Sequence, residues 1–486
     1  MVTAVLTPHV WADPPEEKPI PISAGDYRVL PIHGDYDTRS EMNSLIFLMR
    51  KVFMGLDKTP ESLEKVKRGL RSGIYPTWTQ PDEVQNLPTH RNALIDKMLV
   101  TSKNQQAHDA INELLLSDMQ VFYRPVASGK EFHPALRYHA MTIIGGLNSL
   151  EAISVGDNKR PAQPLIKAME PMLEAIENAK QIDAVKVAAM IGIQRHAEAG
   201  IPAASKDLVL KQLVPIIRQK EPPAGRSESG HRWMQRQAIE IVGAMRSPGP
   251  SGVVVTDLKR VLSDNELPLD MRVAAVEALG MMPPAAVRQA KVDAGEAAGL
   301  IGRLAVQSSL TGIEWLEEQM SDVPVDEESA LAPEYAPLRT GPATPSDEEE
   351  PVLLEEFELF NVMLARRRLK DRLHRTKTGL VGPDGSSGIS AIPVPAQQKA
   401  AIGEITAAID ALLGVVDTDN ITAEELRVGV VREGSKLERT VASLIGAPEE
   451  EEPADTTPGE TPTGPGPATG PGPAPGPGPA PGPGPG

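Results

Sequence analysis

Apolar residues recur along much of the chain at spacings of three and four, which is the pattern of one buried helix face. The clearest example is a ten-residue phrase with an apolar first residue and alanine at the fifth position. Its copies occupy residues 136–145, 185–194, 234–243 and 271–280. They begin about 49, 49 and 37 residues apart, in the range of stacked helical repeats. The phrase therefore predicts a repeated helical architecture.

The individual positions of the phrase predict how its helices pack. Alanine at the fifth position allows a neighbouring helix to approach closely, because its side chain is small. Three copies end in glycine, which we expect to end each helix in a left-handed cap, and Gln194 replaces it in the second copy. The basic second residues, Arg137 and Arg272, should lay their stems over the neighbouring unit while their charged heads stay in water.

Partner helices are predicted between the copies, at residues 164–179, 206–219 and 254–262, with breakers such as the proline pair 222–223 separating the units. The stretch 257–280 carries the fullest version of this pattern. It resembles the HEAT-repeat family, and the resemblance covers about a third of the chain. What it implies is a curved stack of antiparallel helix pairs whose concave face binds protein, with no catalytic residue. The predicted fold is all-α, an irregular α-solenoid of HEAT-like helix pairs.

Further helices are predicted before and after the repeats. Before them, Thr59 and Pro60 predict the start of one helix. The last helices are predicted at 352–375, 396–413 and 422–444, where they form a small bundle or pack back on the repeats. The predicted divisions are an irregular leader 1–38, N-terminal helices 39–130, the solenoid 131–320, an acidic linker 321–350, C-terminal helices 351–446, and a disordered tail 447–486 that is acidic and then Pro/Gly-rich.

Composition and charge indicate the kind of core and the kind of partner that this chain can have. Hydrophobic content is 40% with only 3% aromatic residues, which predicts an aliphatic core of closely stacked helices. The net charge of −17 is concentrated outside the repeats; residues 317–358 alone carry roughly fourteen acids and one base. Nucleic acid is disfavoured as a partner, because phosphate binding needs clustered Lys and Arg. The basic residues 366–377 follow acids 355–358, a charge order that would complement the dipole of one helix.

No catalytic, cofactor or metal site is predicted. The chain has no cysteine and nine histidines, none at the spacings that ligate metals, and no phosphate-binding or nucleophile-elbow motif. No apolar run approaches the length of a membrane span. Residues 1–12 end Val10-Trp11-Ala12, which resembles the end of a secretory signal. This favours an exported, periplasmic protein, with the cytoplasm as the alternative.

The predicted function is a non-catalytic scaffold that binds an unidentified protein. The candidate contacts are arginines and an aromatic residue near the phrases, types favoured at interfaces: Arg137, Arg232, Trp233, Arg236 and Arg272. One alternative is a structural cell-envelope component whose Pro/Gly tail acts as a spacer. Another is a HEAT-like lyase or cofactor-handling enzyme, which would require a concave cluster of Arg137, Lys186, Arg236 and Arg272.

Overall fold

The structure is a computed structural model that describes residues 26–155, 158–321, 350–385, 387–419 and 421–445. The possible signal end at residues 1–12, nearly all of the predicted linker, and the predicted tail lie outside these ranges. The described part is mostly helical, with two short antiparallel strand pairs. The all-α prediction is therefore confirmed at the level of fold class.

The described residues form seventeen α-helices, numbered in chain order. Helices α1 to α6 span Arg39–Phe53, Pro60–Gly69, Tyr75–Trp78, Leu87–Leu94, Gln105–Tyr123 and Pro134–Gly146. Helices α7 to α12 span Met169–Glu177, Asp183–Ala199, Ala203–Arg218, Glu228–Met245, Val253–Ser263 and Leu269–Gly280. Helices α13 to α17 span Pro284–Gln289, Ala294–Ser321, Glu350–Val381, Ala396–Val416 and Ala423–Ile445. Single-turn π-helical segments, Leu70–Ile74 and Ile95–Leu99, continue α2 and α4. Thr59 caps α2 as predicted, accepting a hydrogen bond from the Ser62 amide.

Short strands interrupt the helices between α6 and α7. Strands β1 to β4 span Asn148–Leu150, Ile153–Val155, Asn158–Arg160 and Gln163–Pro164. β1 pairs with β4, and β2 pairs with β3 in a hairpin that sets Ile153 opposite Arg160. The sequence pattern predicted a helix from residue 164, whereas α7 begins at Met169 after a 3-10 turn at Ile166–Ala168.

Helices α6, α8, α10 and α12 carry the four copies of the recurring phrase, and we call them the phrase helices. Each packs on the helix that carries the next copy: α6 on α8, α8 on α10, and α10 on α12. The intervening helices α7, α9 and α11 each pack on the phrase helix that follows them in the chain. Helices α9 and α11 lie within a few residues of the predicted partner helices 206–219 and 254–262, whereas α7 is shorter than the predicted helix 164–179.

The C-terminal helices pack back on the earlier ones. α15 lies against both α12 and α14, α17 lies against α14, and α16 contacts α15 and α17. At the predicted boundary near residue 130, α5 packs directly on α6. All described residues as far as Ile445 belong to one compact unit. The last three helices therefore pack on one another through α16, while α15 also packs on α12 and α14, and α17 also packs on α14.

The phrase glycines serve helix contact, which corrects the expectation that they end helices in left-handed caps. Gly145, Gly243 and Gly280 have ordinary helical backbones, and the left-handed cap after α10 is Arg246 instead. A Cβ at Gly145 would lie 2.8 Å from Gly192 Cα on α8, and one at Gly243 would lie 2.8 Å from Ala278 Cβ on α12. Gly145 and Gly243 therefore lie where α6 comes close to α8 and where α10 comes close to α12.

Glycine also lies where α12 meets α15. A Cβ at Gly280 would touch the Thr378 carbonyl and lie 2.6 Å from Gly379 Cα. The close approach seen between phrase helices is thus repeated between α12 and the C-terminal part of the chain.

The side chain of the second residue of the phrase donates a hydrogen bond to a backbone carbonyl at the end of an earlier helix. Arg137 Nε donates to the Tyr123 carbonyl at the end of α5, and Arg272 Nε donates to the Leu262 carbonyl in the last turn of α11. In the third copy Gln235 Nε2 donates to the Gln219 carbonyl, just after α9, at 2.6 Å. The last carbonyls of a helix lack partners within it, and these side chains supply donors to them, together with Gln181 at the Tyr123 carbonyl and His231 at the Gln219 carbonyl.

His139, at the fourth position of the first phrase, is expected to make the fold sensitive to acid. Its burial, and then the charge of Arg91, lower the pKa of His139 from 6.5 to about 4. A lowered folded-state pKa adds stability above the unfolded value of about 6.5 and loses it as pH falls toward 4. Discounted for its partial exposure, the loss is about 1 kcal/mol by pH ~4.5.

The measurement is the free energy of unfolding in urea at neutral pH and at about pH 4.5. His139→Gln should lose about 1 kcal/mol less on acidification than the unchanged chain. The control His374→Gln alters an exposed histidine of α15. An equal acid loss in the His139→Gln variant and the unchanged chain would contradict the assignment.

Candidate functional site

A cleft of about 410 Å³ runs across the phrase helices α8, α10 and α12 and onto α15. Small residues line the cleft, among them Gly243, Ala274 and Ala278. Its walls are charged, with one carboxylate from each of the four helices: Glu198, Glu240, Glu277 and Asp371. The helices that the repeat brings side by side therefore share one polar surface.

The register of the phrase places these acids. Glu240 and Glu277 are both the seventh residue of their copies, a position that lies off the apolar stripe of the helix. In the second copy the seventh residue is Ile191, which is 44% exposed. Sequence reasoning missed this surface, although two acids at one repeat position were a readable signal.

Arg375 of α15 closes one side of the cleft. Its guanidinium lies 2.6 Å from the Glu240 carboxylate and 2.5 Å from the Glu277 carboxylate. Burial opposes its charge, but the two carboxylates outweigh that effect and raise the pKa of Arg375 above its ordinary value. Glu198 and Asp371 remain exposed at the rim, so the cleft keeps an excess of negative charge.

The basic residues of α15 form ion pairs with neighbouring helices. Arg372 pairs with Asp270 on α12 at 2.8 Å, and Lys377 pairs with Asp410 on α16 at 2.6 Å. The charge order of this helix was expected to complement its own dipole. The observed contacts show a second role, because the same residues attach α15 to the helices on either side.

Three of the predicted contact residues lie on α10. Arg232 pairs with Glu228 at 2.6 Å, while Arg236 Nε is 3.8 Å from Glu240 Oε1. Arg232, Arg236 and Glu240 are spaced by four, so they share one helix face that leads into the cleft. Trp233 is partly buried and packs against the core. A partner-contact role for these three residues stays a prediction.

Two other candidates are buried, which corrects the expectation that their charged heads stay in water. Arg137 is 2% exposed and Arg272 is 5% exposed. Arg137 also pairs with Glu131 and donates to Gln181 at 2.7 Å, and Arg272 donates to Asn265 at 2.8 Å. Their guanidinium groups are hydrogen-bonded to groups within the chain and are almost inaccessible to a partner.

The described residues contain neither a candidate metal site nor a membrane-spanning helix. Within them, no group of three or more His, Asp or Glu side chains is arranged to hold a metal ion. Nor does any helix in the described ranges have the length and apolar character to cross a membrane. Comparison with protein-family models, with curated proteins and with solved structures found no match to this chain.

Proposed function

We propose that the chain is a non-catalytic α-solenoid scaffold, HEAT-like in its repeat, that binds a protein partner on the surface formed by α8, α10, α12 and α15. The observation that carries the proposal is the successive packing of the four phrase helices. Such packing sets equivalent positions of each repeat side by side, which is how stacked repeats build extended binding surfaces. The cleft with its four carboxylates lies on that surface.

The other functions have less support. The enzyme alternative requires Arg137, Lys186, Arg236 and Arg272 to converge on a concave surface, and two of these are buried in separate hydrogen-bond networks. The envelope-component alternative depends on residues 1–12 and the Pro/Gly tail, which lie outside the described residues. It is compatible with a scaffold and stays a prediction, as does the periplasmic location.

The test is quantitative affinity capture from the native cell with the full chain and two surface variants. The first variant combines Ile191→Arg, Glu198→Lys and Asp371→Lys, all exposed on the proposed surface. The matched control is Leu208→Arg on α9, whose side chain is 56% exposed. A partner that binds the proposed surface should be depleted about tenfold by the first variant and retained by the control. Equal recovery with both variants would count against this surface.

A further inference from the structure

A second surface lies at the end of α1. Phe47 lies on that helix, and Met54, its C-cap residue, follows seven positions later, so the two exposed side chains lie on the same side. Leu56 follows the helix and is 78% exposed. The amide of Lys103 donates to the Phe53 carbonyl at 2.8 Å, which brings the chain after Val100 to the same place. Contiguous exposed apolar side chains, unlike single ones, mark interaction sites.

Lysines frame these apolar residues. Lys51 Nζ lies 4.5 Å from the centre of the Phe47 ring. The stem of Lys58 comes within 3.3 Å of a Cβ placed at Gly55. We call the combined surface the α1 patch: Phe47, Lys51, Met54, Leu56, Val100 and Lys103.

The charge of the α1 patch is available to a partner. In the described ranges no ion pair joins Lys51, Lys58 or Lys103 to a carboxylate. The nearby acid Asp57 accepts hydrogen bonds from Ser62 at 2.6 Å and Thr59 at 2.8 Å. These bonds, that to Ser62 first, and to a lesser extent the charge of Lys51, lower the pKa of Asp57, and the bonds direct its carboxylate at the start of α2. The contrast is with α15, where lysines and arginines are paired with acids of neighbouring helices.

We propose that the α1 patch binds an acidic segment of a partner protein that also carries apolar side chains. The apolar residues would bury the partner's aliphatic or aromatic groups, and the lysines would pair with its carboxylates. A short segment contacts the patch alone. Three lysines lie on or beside the apolar residues, which matches a short acidic segment, whereas an extended anionic surface such as a lipid bilayer or a nucleic acid is bound by larger clusters of Lys and Arg. The α1 patch is separate from the surface formed by α8, α10, α12 and α15. Either proposal can therefore fail without the other.

The test uses the full chain and a fluorescein-labelled synthetic helical peptide with Glu on one face and Leu and Phe on the other. Anisotropy should show saturable binding that weakens about tenfold when salt rises from ~20 to ~200 mM. A peptide with Lys in place of every Glu should not bind. Leu56→Ser should weaken binding about fivefold, and the double variant Lys51→Glu, Lys103→Glu about tenfold.

Matched controls come from α9, where Leu208→Ser and Lys211→Glu change an exposed apolar residue and an exposed lysine. Circular dichroism melts of every variant establish that each is folded. Full retention of binding by the α9 variants supports the proposal. It is overturned by equal losses in the α1 and α9 variants, by equal binding of the Lys peptide, or by absence of saturable binding. Binding to phosphatidylserine vesicles but not to the acidic peptide would also overturn it, in favour of a lipid surface.

Discussion

Replacing Arg137 by methionine is expected to lower the free energy of unfolding by about 3 kcal/mol. The guanidinium is almost completely buried and is shared by Glu131, Gln181 and the Tyr123 carbonyl. Methionine keeps the apolar stem but removes the donor to Glu131 and Gln181 and one of the two donors to the Tyr123 carbonyl, which costs more than the net value of the bonds themselves. Urea unfolding followed by circular dichroism measures the loss.

The control is Arg232→Met on α10. Arg232 forms an ion pair with Glu228, and both side chains have access to water, so its loss should cost less than about 1 kcal/mol. Arg137→Lys should restore little, because an ammonium cannot reproduce the forked geometry of the guanidinium. If Arg137→Met and Arg232→Met had the same stability, the structural role of Arg137 would be refuted.

Gly145→Ala is expected to lower the free energy of unfolding by about 2 kcal/mol, since overpacking between close backbones costs roughly 1–3 kcal/mol. The new methyl group would lie 2.8 Å from Gly192 Cα and 3.5 Å from Met172 Sδ. A backbone atom cannot turn aside as a flexible side chain can, so α6 and α8 must separate. Thermal and urea unfolding both report the change.

The neighbouring residue provides a matched control. A Cβ at Gly146 meets nothing within 4 Å, so Gly146→Ala should leave stability unchanged or raise it by about 0.5 kcal/mol through helix propensity. Destabilisation of similar size in both variants would show that the loss arises from the helix terminus rather than from contact between α6 and α8.

The helices were predictable because apolar spacing and proline breakers are local properties of the chain. Thr59 and Pro60 predicted the start of α2, and the last three helices were found at nearly their predicted positions. Strands β1 to β4 were not predicted, because they are only two or three residues long and have no extended alternation of apolar and polar residues. The role of the phrase glycines was misassigned because a glycine near a helix end suits both a cap and a close contact.

The site was less predictable than the fold because it depends on distant parts of the chain. Arg375 contacts Glu240 and Glu277, and no local pattern links residues so far apart in sequence. Arg137 and Arg272 were expected to reach water because arginine is usually exposed. Their burial depends on acceptors from distant segments, Gln181 for Arg137 and Gln307 for Arg272. Only the repeat register of Glu240 and Glu277 could have pointed to the cleft.

The packing of α14 against α15 indicates where the chain can accept inserted residues. The two helices are neighbours in the structure although residues 322–349 separate them in sequence. The entropy of closing such a connection grows only with the logarithm of its length, about 0.6 kcal/mol for each doubling. Insertions there should therefore be tolerated far better than insertions in the short connections that lead from α10 through α11 to α12. The α14–α15 connection is the natural place for this chain to accept an added domain.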